Sequence, residues 1–123
     1  MEKYDRRNIG LLTRNVSELN LDEDRFDVIT SFSTIEHIDL RSDPDADTKA
    51  SLNMFRMLKP GGLMCGTIDF GRPEEGEPLV RMYDVDLFHS KIVEPAGWRY
   101  VSRPYPVDAA KDVRSAMVYL LTK

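Results

Sequence analysis

The pair Glu36-His37 is the first place where residue types and spacing could do chemistry. Imidazole titrates near neutrality, so His37 could take a proton from a hydroxyl, with Glu36 as the acid beside it. The competing reading is structural: the two side chains cap the following segment or fix the loop. Adjacent residues do not make a metal site, and the two-histidine helical spacing is missing, so no metal is expected. Asp69 ends an apolar run, and Arg81 and Tyr83 follow an acidic loop. Arginine suits a carboxylate or a phosphate, which makes Asp69, Arg81 and Tyr83 candidates for substrate binding. A salt bridge and a packed tyrosine would explain the same residues. Cys65 is the single cysteine, so there is neither an intrachain disulfide nor a cysteine-based zinc site. It lies inside an apolar strand and reads as inert. His89 reads as a surface helix residue.

These groups need elements to position them. Phe26 to Phe32 is apolar and β-branched, and predicts a parallel-type strand buried on both faces. Ile9 to Leu12 is a short apolar run that could form an earlier strand. Asp43-Pro44 predicts a helix start, with Asp43 as the cap and Pro44 in the first position. Asp45 and Asp47 near its start and Arg56 and Lys59 near its end suit the helix dipole. Ala46, Ala50, Met54, Met57 and Leu58 form its apolar stripe, so Met54 and Met57 read as core. Pro60-Gly61-Gly62 stops that helix, and Leu63 to Phe70 reads as a second buried strand. Strand, helix and strand in this order make a right-handed parallel βαβ unit. Gly71 to Pro78 reads as a surface loop. Asp84 can cap a second helix with Val85, Phe88, Ile92 and Ala96 inward, ending near Val93 because Pro95 interrupts it. Trp98 to Arg103 and Ala116 to Leu121 predict two late antiparallel strands, joined by a loop from Pro104 to Arg114.

Composition narrows the class. The chain has 123 residues, enough for one domain, with 41% hydrophobic and 31% charged residues. Its 17 Lys and Arg against 21 Asp and Glu leave a net charge of -4, which argues against nucleic acid as a partner. A charged start without an apolar stretch behind it argues against a signal peptide, and no apolar run reaches membrane-spanning length. A cytoplasmic protein with a small-molecule partner, and no membrane, is the expectation.

Phe26-Asp27-Val28-Ile29, then Ile35-Glu36-His37-Ile38, then Leu58-Lys59-Pro60-Gly61-Gly62 form an ordered pattern. It resembles the second half of class I S-adenosylmethionine-dependent methyltransferases of the type 11 kind. Ser33-Thr34-Ile35-Glu36-His37-Ile38, Phe70-Gly71 and Arg81-Met82-Tyr83-Asp84 are similar to a bacterial branch linked to cell-surface polysaccharide genes. Pro-Gly-Gly after a helix is common; the order and spacing of the pieces carry the specificity.

The resemblance implies an α/β chain with a partial Rossmann-like methyltransferase fold. A parallel sheet carries a C-terminal antiparallel strand, and residues 1–123 form one domain, the C-terminal portion of a methyltransferase domain. It implies S-adenosylmethionine as cofactor and a small or sugar-like methyl acceptor. Asn15 and Val16 stand where the family places an Asp-Ala pair against the adenine, although Asn15 lacks the charge; an ordinary loop asparagine is the alternative. Ser31 and Phe32 end the strand whose backbone carbonyls meet the cofactor's amino group in the family. Glu36 and His37 fall beside the transferred methyl and are the catalytic candidates.

The family opens with a strand and a Gly-x-Gly loop, followed by an acid for the ribose hydroxyls. Here Gly10 stands alone. The expectation is a fragment without the first βα units, with weak or absent cofactor binding by itself. A non-catalytic half-domain serving dimerisation or completion of a partner chain is the alternative. In the family sheet order, 3-2-1-4-5-7-6, the Phe26 strand loses a neighbour, so a homodimer is expected from its apolar open edge.

Overall fold

A computed structural model describes residues 10, 12–38, 42–76, 80–107 and 115–123. Among the described residues, four strands form one sheet in the order β1-β2-β4-β3. β1 is Phe26–Phe32, β2 is Leu58–Asp69, β3 is Arg99–Val107 and β4 is Ala116–Thr122. β1 and β2 run parallel, and α1 (Ala46–Met57) connects them. β4 is antiparallel to both β2 and β3. This is the βαβ unit and late strand pair that the apolar pattern predicts. It also matches the second half of the sheet order implied by the resemblance.

The helices cover one face. Ala46, Ala50, Met54 and Met57 recur every three or four residues on α1 and are all buried. They pack with Met64 and Ile68 of β2 and Met117, Tyr119 and Leu121 of β4. The opposite face is open. In register, Val28 lies beside Leu63, Thr30 beside Cys65 and Phe32 beside Thr67. Cys65 and Thr67 in turn lie beside Leu120 and Val118. Here β1 departs from the expected buried strand: Val28 is 53% exposed and Phe32 62%. The residue types are right for a buried strand, but β1 is a sheet edge and its outer face carries no helix among the described residues.

Three boundaries differ from expectation for local reasons. The Asp43 carboxylate accepts the Asp45 N–H at 2.9 Å, which holds Pro44 and Asp45 in a turn, and α1 starts at Ala46. β2 starts at Leu58, so Pro60-Gly61-Gly62 forms an irregularity inside the strand rather than a separate turn. β3 runs on to Val107, through part of the expected loop. The rest of that loop, the end of the Gly71 to Pro78 loop, and Ile9 and Leu11 of the expected early strand lie outside the described residues. Gly10 and Leu12 are not in a strand.

The second helical segment also outruns its prediction. Asp84 caps α2 (Val85–Phe88) by accepting the Leu87 N–H at 2.7 Å. Val85 remains exposed. A π-helical turn, His89–Val93, then leads into α3 (Glu94–Ala96), so the chain stays helical through Pro95. Proline leaves a carbonyl without its helical donor. Here the Lys91 carbonyl accepts the Thr48 hydroxyl at 2.8 Å, and the Ile92 carbonyl accepts the Ser51 hydroxyl at 2.6 Å. The Thr48 hydroxyl thus replaces the N–H that Pro95 lacks, Ser51 adds a second tie between α1 and this segment, and Trp98 Nε1 donates to Ser51 at 2.9 Å from the other side. Gly97, in the left-handed region at φ 86°, ends the segment. No helix among the described residues is long and apolar enough to cross a membrane.

Candidate functional site

Strand ends build the site. Parallel β1 and β2 bring their carboxyl ends to the same side, the usual ligand side of an open α/β sheet. β1 ends at Phe32, and Ser33 follows at φ 46°, a left-handed conformation in which non-glycine residues are uncommon. Thr34 leads into a single 3₁₀ turn, Ile35–His37.

An open cavity of about 370 Å³ lies against β1, and its lining includes Val16, Leu19, Ser31, Phe32, Thr34 and Met54. Three of the four cofactor-binding candidates therefore meet at one place. The Ser31 carbonyl accepts the buried Tyr119 hydroxyl at 3.2 Å, and the Phe32 carbonyl accepts the Thr34 hydroxyl at 2.9 Å. The Phe32 carbonyl has a second lone pair, whereas the Ser31 carbonyl points at Gly66 of β2. The fourth candidate, Asn15, turns its side-chain oxygen to Ser17, accepting from its N–H at 3.1 Å and its hydroxyl at 2.9 Å. This loop is tied to α1. Asn53 donates to the Val16 and Ser17 carbonyls, both at 3.0 Å, and Arg56 donates to the Leu21 carbonyl at 2.6 Å. Asn53 was not a sequence candidate, because an exposed-type polar residue on a helix carries no signal of the loop it will hold.

Glu36 is fully buried. One carboxyl oxygen accepts the Asp69 N–H at 3.1 Å, and the other has no hydrogen-bond partner among the described residues. Burial pushes the Glu36 carboxyl above the ordinary carboxylate range, and the Asp69 charge adds to that. Backbone hydrogen bonds and the neighbouring His37 oppose the shift. His37 is exposed, one residue further along the same turn. A Glu36 oxygen, a His37 ring nitrogen and an Asp69 oxygen lie within 4.8 Å of one another. The structure thus joins Asp69 to the Glu36-His37 pair.

Arg81 and Tyr83 face elsewhere. Arg81 donates to Asp47 Oδ2 at 2.7 Å and to the Pro44 carbonyl at 2.9 Å. The Tyr83 hydroxyl donates to the same Asp47 oxygen. Burial and the Asp47 charge push the Tyr83 hydroxyl far up. Asp47, read in the sequence as a dipole-matched charge, is a fully buried counter-ion. The Arg81 and Tyr83 backbones still border the site: the Arg81 N–H donates to the Glu36 carbonyl and the Tyr83 N–H to the Asp69 carbonyl, both at 3.0 Å. His89 is exposed as expected, with Nδ1 2.8 Å from the Tyr100 hydroxyl. Cys65 is half-buried on the open sheet face.

Comparison with known proteins agrees with this architecture. A curated relative from Vibrio parahaemolyticus, ubiquinone/menaquinone biosynthesis C-methyltransferase UbiE, is 42% identical over 83 residues, covering 67% of this chain and 29% of its own length. The same enzyme from Escherichia coli is 32% identical over 126 residues, covering 91% of this chain and 47% of its own. The chain thus spans less than half the length of these relatives. Among solved structures, the Burkholderia thailandensis 1,6-didemethyltoxoflavin-N1-methyltransferase, with its substrate and S-adenosylhomocysteine bound, superposes with a TM-score of 0.68 at 18% identity. It covers 91% of this chain and 49% of that one. The model of the methyltransferase domain family matches residues 1–66. With that match over more than half its length, and with the βαβ unit and late strand pair in the matching order, the chain belongs to the methyltransferase domain family.

Proposed function

We propose that this chain carries the acceptor side of an enzyme that transfers a methyl group from S-adenosylmethionine to a small molecule. One observation carries the reading: Val16, Ser31, Phe32 and Thr34 border a single cavity at the end of β1, with Glu36, His37 and Asp69 on the turn and strand end that follow. When bound, S-adenosylmethionine supplies a sulfonium methyl open to in-line displacement. The apolar walls at Val16, Leu19 and Met54 fit the adenine end of that cofactor, and the Phe32 carbonyl can accept one more hydrogen bond. The sequence has no Gly-x-Gly run, and no carboxylate among the described residues lines the cavity. The methionine and ribose ends therefore lack their usual partners here. His37, exposed beside the site, is the base for a hydroxyl acceptor; Glu36, buried beneath it, positions the turn that carries it.

Titration calorimetry tests this reading in two steps. The 123-residue chain alone binds S-adenosylmethionine weakly, because losing several polar contacts at about 1–3 kcal/mol each moves a micromolar site past millimolar. Joined to the glycine-loop half of one of the relatives, it binds tightly and transfers methyl groups. Micromolar binding by the chain alone overturns the cavity assignment, and no binding by the joined protein overturns the function. In the joined protein His37→Ala lowers turnover about 100-fold or more without loss of folding if it is the base. Acceptor assays include a quinone-type ring, which the relatives' names suggest, and a sugar, which the polysaccharide-linked resemblance suggests. A cytoplasmic setting suits either acceptor.

A second reading has its own support. β1 is an apolar sheet edge, and Val28, Phe32, Leu63, Tyr105 and Val107 are exposed. Such surfaces favour a half-domain completed by a second copy, a homodimer, or a partner chain. Light scattering after size exclusion separates the cases: a monomer that melts cooperatively removes this reading.

A further inference from the structure

We propose that Glu36, His37 and Asp69 form a divalent-cation site where β1 and β2 end. Two observations carry it independently. The first is convergence: one donor atom from each residue lies within 4.8 Å of the others, although Asp69 is 33 residues from Glu36 in sequence. Opposite ligands of an ion with bonds of about 2.1–2.4 Å stand roughly that far apart, so the three donors need only small side-chain movements to share one ion. The second is the Glu36 carboxyl itself. It is fully buried, its first oxygen is tied to the Asp69 N–H, and its second oxygen has no hydrogen-bond partner among the described residues. A buried acceptor of this kind in a folded protein calls for a partner.

The surroundings fit a cation. Two carboxyl groups close together repel when ionised, and a dication between them removes that conflict. The Arg81 guanidinium is turned away to Asp47 and Pro44. The 3₁₀ turn that bears Glu36 and His37 is pinned, with the His37 N–H on the Thr34 carbonyl and the Arg81 N–H on the Glu36 carbonyl. Two carboxylate oxygens and one imidazole suit Mn²⁺ or Zn²⁺ better than Ca²⁺, which takes oxygen ligands alone. His37 is at the exposed side, so the remaining coordination positions face solvent and are open to water or to an oxygen-bearing ligand.

The proposal shares His37 with the methyl-transfer reading, since an imidazole that holds the ion is not free to act as the base, and it is tested without methyl transfer. The full chain, stripped with a chelator, is titrated with Mn²⁺ alone by calorimetry and by the loss of the free-ion electron paramagnetic resonance signal. The result expected is one Mn²⁺ per chain. Asp69→Asn and His37→Ala should each weaken it at least about 10–100-fold, the loss that even an outer-sphere partner causes. His37 is exposed, so His37→Ala keeps the fold, which circular dichroism checks; Glu36→Gln is the third variant. Asp27→Asn, on an exposed residue paired with Lys59, serves as the control and leaves binding unchanged. No saturable binding by the wild-type chain up to millimolar Mn²⁺ overturns the proposal. So does binding that survives both His37→Ala and Asp69→Asn, or binding lost in Asp27→Asn. Cofactor titration with chelator present tests the methyl-transfer reading separately.

Discussion

Gly66→Ala should strip β1 from the sheet. Gly66 lies opposite Ser31 in the parallel ladder. A Cβ built there stands 1.8 Å from the Ser31 carbonyl oxygen and 2.7 Å from the Tyr119 hydroxyl, where real Cβ contacts essentially never fall below 3.0 Å. The Tyr119 side chain can give, but the Ser31 carbonyl is backbone, so β1 must retreat by about 1.2 Å. That movement stretches an ordinary N–H···O bond beyond its 3.5 Å limit. Losing about two ladder bonds at about 1 kcal/mol each, plus about 1–3 kcal/mol of overpacking, gives a total of about 3–5 kcal/mol. A small domain has about 5–15 kcal/mol in all, and β1 is an edge with one neighbour among the described residues, so it is released first. Urea unfolding measures the loss, and hydrogen exchange shows whether the β1 amides lose protection ahead of β4. A variant within about 1 kcal/mol of wild type, with β1 still protected, would refute the reasoning.

Arg81→Met leaves the Asp47 carboxylate buried without its counter-charge, held by the Tyr83 hydroxyl and the Thr48 N–H alone, and should cost about 3 kcal/mol in urea unfolding, the lower end for a broken buried pair because Arg81 is partly exposed and those two donors remain. Ser51→Ala removes the donor to the Ile92 carbonyl and the acceptor of Trp98 Nε1; a loss of about 2–3 kcal/mol is expected, and a red shift of tryptophan fluorescence marks the loosened indole. The raised Glu36 carboxyl makes stability fall as pH rises. The folded state holds a proton that the unfolded state releases near 4.5, so stability drops from that pH up through the higher folded value, by at most about 1.4 kcal/mol per pH unit. Glu36→Gln should flatten that part of the profile; parallel profiles for the two proteins would count against a raised Glu36.

What could be read from the sequence was what local pattern decides. The β-branched run at Val28-Ile29-Thr30 gives a strand, the Ala46–Ala50–Met54–Met57 spacing gives a helix face, and Asp84 gives a cap three residues before the N–H it accepts. What escaped needed partners distant in sequence. Pro95 frees the Lys91 carbonyl, and here Thr48 arrives from more than forty residues away to pair it. Asp47 looks like any acidic residue in a first helical turn until Arg81 and Tyr83 close on it. The Glu36–His37 pair was visible as a pair, but its third member, Asp69, is supplied by the sheet register. The exposure of β1 is not legible because residue types report what a strand can tolerate, not how many neighbours it has.

Phe32 belongs to two surfaces at once. It borders the cavity at the end of β1, and it also borders a second hollow on the open sheet face, beside Cys65, Tyr105 and Leu120. Whatever packs on that open face touches a ring that also shapes the first cavity. Two binding events that share a side chain are energetically coupled, and the coupling is reciprocal: a ligand that prefers one Phe32 rotamer strengthens docking of whatever prefers the same rotamer, by the same factor in both directions. If a ligand fills the first hollow and a partner packs on the second, one aromatic ring links the two events.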